Sequence, residues 1–254
     1  MSGPAAGYWT CSWKRSDAMT EAEWLAGTEP TPMLEFLGDR ASSRKLRLFA
    51  VACCRRIWPL ITEAHCREAV EIAERFADGS VTAEVQEAAH LAAERVRREV
   101  EDTEAPLFSG VAYATAHAAS STVHDKGTVW LACRAAANAA CAAGHALSEQ
   151  GASENEVAAA TQAESAAQAP LVRDLFGSPF RHAPLDPAWL AWQDRTILKL
   201  AQAVYEGRAF DRLPVLADAL EEAGCTNTDI LNHLRGPGPH VRGCWVVDLL
   251  LGKE

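Results

Sequence analysis

Residues 43–58 read SRKLRLFAVACCRRIW and have the period of an amphipathic helix. At 100° per residue, the apolar side chains fall on one arc of this helix: Leu46, Phe49, Ala50, Cys53 and Ile57. Charged side chains fall on the opposite arc: Arg44, Lys45, Arg55 and Arg56. Because a proline inside a helix removes a backbone hydrogen bond, we expect the helix to end before Pro59. The stretch predicts a helix with one buried face.

The same period continues on both sides of this stretch. Further helices are predicted at about 63–77, 82–102, 109–121, 128–149 and 154–169. Residues 112–169 are rich in alanine, which has the highest helix propensity and lets helices approach closely. Prolines and glycines between residues 170 and 187 indicate a loop or a subdomain boundary. Residues 240–251 (HVRGCWVVDLLL) are apolar on all sides and predict a buried helix or strand.

These patterns predict an all-α protein, since no run alternates with the period of two that a half-buried strand shows. The expected architecture is a multi-helix bundle with an Ala-rich central section and a smaller C-terminal helical lobe. Residues 19–169 would form the N-terminal helical lobe and residues 180–254 the C-terminal helical lobe. Residues 1–18 have no helical period and are predicted to be a disordered extension.

The composition indicates which kinds of partner the protein is not expected to bind. The formal net charge is −10, so the chain lacks the long-range attraction that supports non-specific binding to nucleic acid. No stretch approaches the length of apolar sequence that would span a membrane, and the N-terminus lacks the apolar region of a secretory signal. The eight cysteines lie mostly within predicted helices, which favours reduced thiols and a cytoplasmic location. We therefore expect neither nucleic acid nor a membrane as partner.

Five segments occur together in one order: MTEAEWLAG…PMLEFL, RKLRLFAVACCRRIWPL, DPAWLAW, RAFDRLPVLADALEEAGC and GPGPHVRGCWVVDLLLGK. As a set they resemble an uncharacterised family of bacterial proteins. The resemblance covers Met19 to Glu254 and leaves out residues 1–18. It implies no activity, ligand or functional residue. It does imply a cysteine at the position where this chain has Leu234.

Two thiols and two imidazoles near the C-terminus could complete a tetrahedral zinc shell: Cys225, His233, His240 and Cys244. Structural zinc sites usually bring their ligands in closely spaced pairs such as CxxC. Here seven, six and three residues lie between successive members. Buried core cysteine is the competing explanation, since free cysteine packs as a small apolar residue. The spacing favours no cofactor, with zinc as the minor alternative.

A second candidate group could hold a small anion or a polar ligand: His233, Arg235, His240, Arg242 and Asp248. Asp248 lies inside the apolar run WVVDLLL, where burying a lone carboxylate is costly. It needs a partner, and Arg242 and Arg235 are the nearest in sequence. The same residues could instead lock the C-terminal segment structurally through a buried ion pair. The sequence favours this lock over a ligand site.

One cationic surface is predicted, the basic arc formed by Arg44, Lys45, Arg47, Arg55 and Arg56, with Arg40 just before it. A phosphate or an acidic partner helix could bind there. The next predicted helix supplies a ready internal partner through its acidic residues: Glu63, Glu68, Glu71 and Glu74. We expect the basic arc to be an exposed face that pairs with this acidic one.

The sequence does not contain the motifs GxSxG or HExxH or a phosphate-binding glycine loop. It therefore favours a non-enzymatic module, with interaction or regulation through a helical groove and a protein partner. The alternative is a ligand-binding protein or an enzyme with its site in the segment His233–Asp248. An exposed apolar patch would favour the first function, and a closed pocket lined by His233, His240 and Asp248 would favour the second.

Overall fold

The computed structural model describes residues 19–102, 111–123 and 128–253, and within these ranges the protein is all-α, as predicted. The extension predicted at residues 1–18 lies outside the described residues. The helices are α1 (Glu21–Ala26), α2 (Pro30–Leu37), α3 (Ser43–Arg56), α4 (Ala64–Ala77), α5 (Ala83–Asp102), α6 (Val111–Thr122), α7 (Val129–Ser148), α8 (Glu154–Phe176), α9 (Pro187–Gly207), α10 (Leu213–Glu222), α11 (Thr228–Arg235) and α12 (Trp245–Leu251). The backbone of α9 leaves the helical region at residues 192–195.

The buried apolar side chains form two clusters. One extends from Trp24 to Leu175 and draws on α1 to α8. The other extends from Trp189 to Leu250 and draws on α9 to α12. We call the parts of the chain around these clusters the first and second lobes. The segment that joins them, residues 177–186, contains no helix.

Helix α3 lies at the centre of the first lobe and packs against α4, α6, α7 and α8. Its predicted apolar arc is buried, since Leu46, Phe49 and Cys53 are almost completely inaccessible. We predicted that the basic arc is exposed, and for Arg47 this prediction is wrong. Arg47 is buried and donates a hydrogen bond to the Thr122 carbonyl, because neighbouring helices cover α3 on more than one side.

The remaining members of the basic arc have separate partners. Arg55 does pair with the acidic face of α4, at Glu74. Arg56 instead pairs with Glu164 on α8, with 2.7 Å between Nε and Oε1. Arg44 and Lys45 point toward the second lobe, where both meet Asp248. The arc is thus divided among four neighbours, α4, α6, α8 and α12, because α3 contacts several elements at once.

The Ala-rich section forms the closely packed helices that its composition predicts. The small side chains of α7 that face its neighbours are buried: Ala132, Ala135, Ala136, Ala139 and Ala142. A Cβ atom added to Gly144 would lie 2.2 Å from Thr161 Oγ1 on α8, so this contact requires glycine. Gln168 of α8 donates a hydrogen bond to the Ala136 carbonyl across the same interface.

Helix α8 does not end at residue 169 as predicted but continues through Pro170 to Phe176. A proline inside a helix costs roughly 3 kcal/mol, because it lacks an N–H and crowds the preceding turn. The turns beyond it bury Leu171, Val172 and Leu175. Each of these side chains contributes about 1.5–3 kcal/mol of transfer free energy, so their burial outweighs the cost. The extension carries Asp174 into the region where the two lobes meet.

A buried polar cluster joins α5, α6 and α7. The His117 ring accepts a hydrogen bond at Nδ1 from Arg134, 2.6 Å away, and its Nε2 lies 3.1 Å from a carboxylate oxygen of Glu101. Arg97 forms ion pairs with both Glu101 and Glu94. Burial, together with the Arg134 guanidinium, lowers the pKa of His117 to about 4. Its imidazole is therefore neutral in the folded protein near neutral pH.

This lowered pKa predicts a loss of stability in mild acid. As the pH falls from about 6.5 to 4, the unfolded chain protonates His117 while the folded protein does not, so the free energy of unfolding should fall by about 3 kcal/mol. Urea unfolding of the wild type and of His117→Gln between pH 7 and pH 4 measures the difference between their pH slopes. His65→Gln is the matched control because His65 is exposed. Equal slopes in wild type and His117→Gln would contradict the prediction.

Candidate metal centre between the lobes

Four potential metal ligands converge where the second lobe meets α8: Asp174, His233, His240 and Cys244. Their ligand atoms all lie within 4.8 Å of one another. Asp174 comes from the last turns of α8, His233 from the last turn of α11, and Cys244 from the N-cap position of α12. His240 lies in the segment between α11 and α12. We call these four residues the metal cluster.

The backbone at Gly243 packs closely against side chains of α3 and α8, and this contact brings Cys244 to α8. Gly243 has φ +94°, in the left-handed region that favours glycine. A Cβ atom at this position would lie 2.7 Å from a methyl carbon of Leu48 and 2.8 Å from one of Leu175, too close for any side chain. Glycine therefore lets the start of α12 rest directly on α3 and α8. Cys244 follows at once and enters the cluster fully buried.

The ligand atoms of the metal cluster lie close enough to one another to surround a single metal ion. Asp174 Oδ1 lies 2.7 Å from His240 Nδ1 and 3.1 Å from His233 Nε2. The same nitrogen of His233 lies 3.1 Å from Cys244 Sγ. Tetrahedral coordination with bonds of about 2.0–2.3 Å separates neighbouring ligand atoms by about 3.3–3.6 Å. Small outward movements of these side chains would give that spacing.

Two backbone groups next to the metal cluster fix the orientation of two of its side chains, Asp174 and His240. The Val241 N–H donates to Asp174 Oδ2 at 2.9 Å, so the other oxygen of this carboxylate faces the cluster. His240 Nε2 lies 3.2 Å from the Gly236 carbonyl and can donate to it, so Nδ1 faces Asp174 and would offer its lone pair to a metal ion in place of the proton it shares with that carboxylate. Metal-binding histidines commonly donate their second N–H to a carbonyl in this way.

Burial and mutual contact shift the pKa values of the cluster. Burial acts to raise the pKa of Asp174, but the hydrogen bonds from His233 and His240 outweigh it and lower this pKa. Burial acts to lower the pKa of His240, yet the Asp174 carboxylate outweighs that effect and raises it. Burial and the nearby Asp174 charge raise the pKa of the Cys244 thiol well above its usual range. The thiol is thus protonated unless a cation stabilises the thiolate.

The arrangement does not match a Cys–His–Asp nucleophilic relay. In such a relay one ring nitrogen contacts the nucleophile and the other contacts the carboxylate. Here His233 uses Nε2 for both Asp174 and Cys244. Cys244 is also completely buried with a raised pKa, whereas a nucleophilic cysteine needs access and a thiolate. Donor atoms that converge on one point are typical of metal coordination instead.

Three of the four residues that the sequence offered as the minor zinc alternative lie together in the structure. His233, His240 and Cys244 are together, but Cys225 is buried in the apolar core of the second lobe and does not belong to the cluster. Asp174 takes its place. One signal in the sequence could have indicated Asp174. Like Asp248, it is a carboxylate inside an apolar run, LVRDLF.

The predicted ligand group around Asp248 is divided among separate sites. Asp248 is buried, as predicted, but its partners are not the predicted Arg242 and Arg235. Arg242 pairs with Asp78, and Arg235 pairs at the surface with two carboxylates of α10. These arginines are near Asp248 in sequence only, because the turn at Gly243 and the direction of α12 carry their side chains elsewhere. His233 and His240 belong to the metal cluster.

Asp248 forms its ion pairs with α3 of the first lobe. Its Oδ2 lies 2.6 Å from an Nη of Arg44 and 2.7 Å from the Lys45 ammonium. Lys45 also donates to the carbonyls of Leu175 and Gly243, so its three protons all have acceptors. Arg44 also donates to Tyr205, whose hydroxyl donates to Asp78. This network adjoins the metal cluster, since Lys45 donates to the carbonyl of Gly243, the residue that precedes Cys244.

Comparison with known proteins adds no relative from which a role could be inferred: no protein-family model, curated protein or solved structure matches the chain. None of the helices within the described residues is both long enough and apolar enough to span a membrane. The role of the site must follow from its own geometry.

Proposed function

We propose that this protein binds one zinc ion through Asp174, His233, His240 and Cys244, and that the ion is a structural link between its two lobes. The convergence of four ligand atoms within 4.8 Å supports this most strongly. The spacing of three of these residues favoured no cofactor in the sequence, but Asp174 completes the shell from another part of the chain. Asp174 belongs to α8 of the first lobe, and the other three residues belong to the second.

The donor atoms favour zinc over other common cations. Calcium and magnesium take oxygen ligands almost exclusively, whereas this cluster offers one oxygen, two nitrogens and one sulfur. Zinc binds these three donor types and adopts four-coordinate tetrahedral geometry. Copper and nickel in their divalent states favour planar arrangements. Binding would also stabilise the Cys244 thiolate, which burial otherwise disfavours.

The same features favour a structural ion over a catalytic one. Catalytic zinc keeps one position for water or substrate and usually has three protein ligands. The metal cluster supplies four, and two of them, Asp174 and Cys244, are buried. A non-enzymatic helical module, held in shape by the ion, accounts for these observations. A protein partner and a cytoplasmic location stay predictions.

Metal analysis of protein purified without chelators tests the proposal. We expect about one zinc per chain in the wild type, and well under half of that in Cys244→Ala and in His240→Ala, because each removes one of four ligands. Cys225→Ala is the matched control, since Cys225 is equally a buried cysteine of the second lobe but lies outside the cluster. It should retain the full zinc content.

Cobalt substitution supplies a second readout that does not depend on purification history. Tetrahedral cobalt absorbs visible light strongly, and a thiolate ligand adds a charge-transfer band in the near ultraviolet. We expect both in the wild type and in Cys225→Ala, and loss of the thiolate band in Cys244→Ala. Absence of stoichiometric zinc in the wild type, together with absence of tetrahedral cobalt bands, would refute the proposal.

A further inference from the structure

The two lobes enclose a cleft with a volume of about 610 Å³. We propose that this cleft binds a small organic anion, a molecule with a carboxylate or phosphate group on an apolar body. Its walls are the start of α3, the segment that follows Leu175, and the face of α12 that continues to Lys253. Small-molecule sites commonly have 300–1,000 Å³ and lie between domains, so both size and place fit. None of the four metal-cluster residues lines the cleft.

The charge of the cleft is opposite in sign to that of the chain. Four cationic side chains line it: Arg40, Lys45, Arg181 and Lys253. Two carboxylates line it as well, Asp229 and Asp248. The surplus is two positive charges, in a protein whose net charge is −10. A concave, cationic surface concentrates field and attracts anions even when the rest of the protein repels them.

Two of these cations are neutralised by neighbours, and two supply the surplus. Lys45 pairs with Asp248, and Arg181 pairs with Asp229. Within the described ranges, Arg40 instead donates to two backbone carbonyls, those of Phe36 and Leu37, and pairs with no carboxylate. Its positive charge is therefore not offset by a neighbour in that part of the chain.

Lys253 has two weak partners among the described residues, the Asp78 carboxylate and the Tyr205 ring, whose centre lies 4.7 Å from its ammonium. Its ammonium is 3.8 Å from a carboxylate oxygen of Asp78, which is already bonded to Tyr205 and paired with Arg44. Arg40 and Lys253 are thus the groups available to an incoming oxyanion, and a guanidinium can bind such a group through two parallel hydrogen bonds.

The remaining lining is apolar and favours a ligand with a hydrophobic part. Phe176, Leu185, Trp245 and Leu249 contribute to the walls. The Trp245 ring lies against Gly177, where a Cβ atom would be 3.2 Å from ring carbons, so the ring is held in position. Inorganic phosphate would leave these surfaces exposed to water. An anion that carries an aromatic or aliphatic body would cover them and gain transfer free energy.

Titration of the zinc-replete protein with phenyl phosphate, benzoate and inorganic phosphate tests the inference. Calorimetry and the NMR shifts of the Trp245 indole measure the binding. We expect one site per chain, with phenyl phosphate or benzoate in the millimolar range or tighter. Inorganic phosphate should bind at least tenfold more weakly, since it cannot contact the apolar walls.

The double variant Arg40→Ala with Lys253→Ala should weaken binding at least tenfold, because it removes the surplus charge. Both residues lie at the surface of the cleft and neither belongs to a core cluster, so circular dichroism should show an unchanged fold. Arg98→Ala, an exposed cation on α5, is the control and should bind as the wild type does. The inference is overturned if no ring-bearing anion binds at millimolar concentration, if inorganic phosphate binds as tightly, or if Arg98→Ala causes the same loss.

Discussion

Removal of zinc with a chelator should lower the thermal midpoint by about 10 °C and separate unfolding into two steps. A ligand present at a thousandfold excess over its Kd stabilises the folded state by about 4 kcal/mol, and each kcal/mol shifts the midpoint by about 2–4 °C in a protein of this size. The reason for two steps is the position of the cluster. Asp174 belongs to α8 of the first lobe, while Cys244 packs within the core of the second.

The contacts that would remain after zinc removal include three ion pairs, beside the apolar packing at Gly243. Arg44 pairs with Asp248, Arg242 with Asp78, and Arg208 with Glu74. Each lobe keeps its own apolar core without the ion, so the interface should loosen before either lobe unfolds. Limited proteolysis should then cleave the linking segment, residues 177–186, much faster in the chelated protein.

Two variants separate the role of the ion from other effects of the chelator. Asp174→Asn should resemble the chelated wild type and respond little to further chelator, because its cluster lacks one charged ligand. Cys225→Ala should keep the full response. If zinc binds at one per chain but its removal changes neither the midpoint nor the cleavage rate, the ion is bound without linking the lobes.

Asp248→Ala should reduce the free energy of unfolding by about 3–5 kcal/mol, because it leaves Arg44 and Lys45 in a poorly solvated interface without their shared carboxylate. Asp248 is 1% exposed, and its two partners are also largely covered. Burial lowers the pKa of the Lys45 ammonium, an effect that the Asp248 charge opposes. Without that charge, the protonated form of Lys45 would be less stable at this position.

Urea unfolding of three variants measures this effect. Asp248→Asn should recover part of the loss, since the amide oxygen still accepts hydrogen bonds but carries no charge. Asp218→Ala is the matched control, because Asp218 pairs with Arg235 at an exposed surface, and it should change stability by less than about 1 kcal/mol. If Asp248→Ala costs no more than Asp218→Ala, then the buried ion pair does not lock the lobes.

The parts of the fold that could be predicted depend on neighbours in sequence. Thr20 and Ser153 are each followed three residues later by glutamate, a pattern that predicts a capping box, and both boxes are present with their reciprocal hydrogen bonds. The apolar arc of α3 is buried as its period requires. Each of these features involves residues within a few turns of one another, where backbone geometry alone determines which side chains meet.

Predictions failed where a side chain's environment comes from another element. Pro170 predicted the end of a helix, because local rules assign its cost and cannot assign the burial of Leu171 and Leu175 that offsets it. Arg242 was the expected partner of Asp248, yet the partners lie about two hundred residues earlier, on α3. Distance along the chain was a poor guide to charge pairing, because helices present opposite sides to different neighbours.

For the candidate site, the sequence by itself determined the chemistry of the donors and the proximity of His233, His240 and Cys244, which share one short segment. Only the tertiary structure decided the fourth ligand. Cys225 is nearer in sequence to these three residues than Asp174 is, and it is the same kind of donor as Cys244. It faces the core of its own lobe, however. Asp174 reaches the cluster because α8 continues past Pro170 and Gly243 lets α12 rest on it. Packing between the lobes set that contact, since it depends on surfaces built from residues far apart in the sequence.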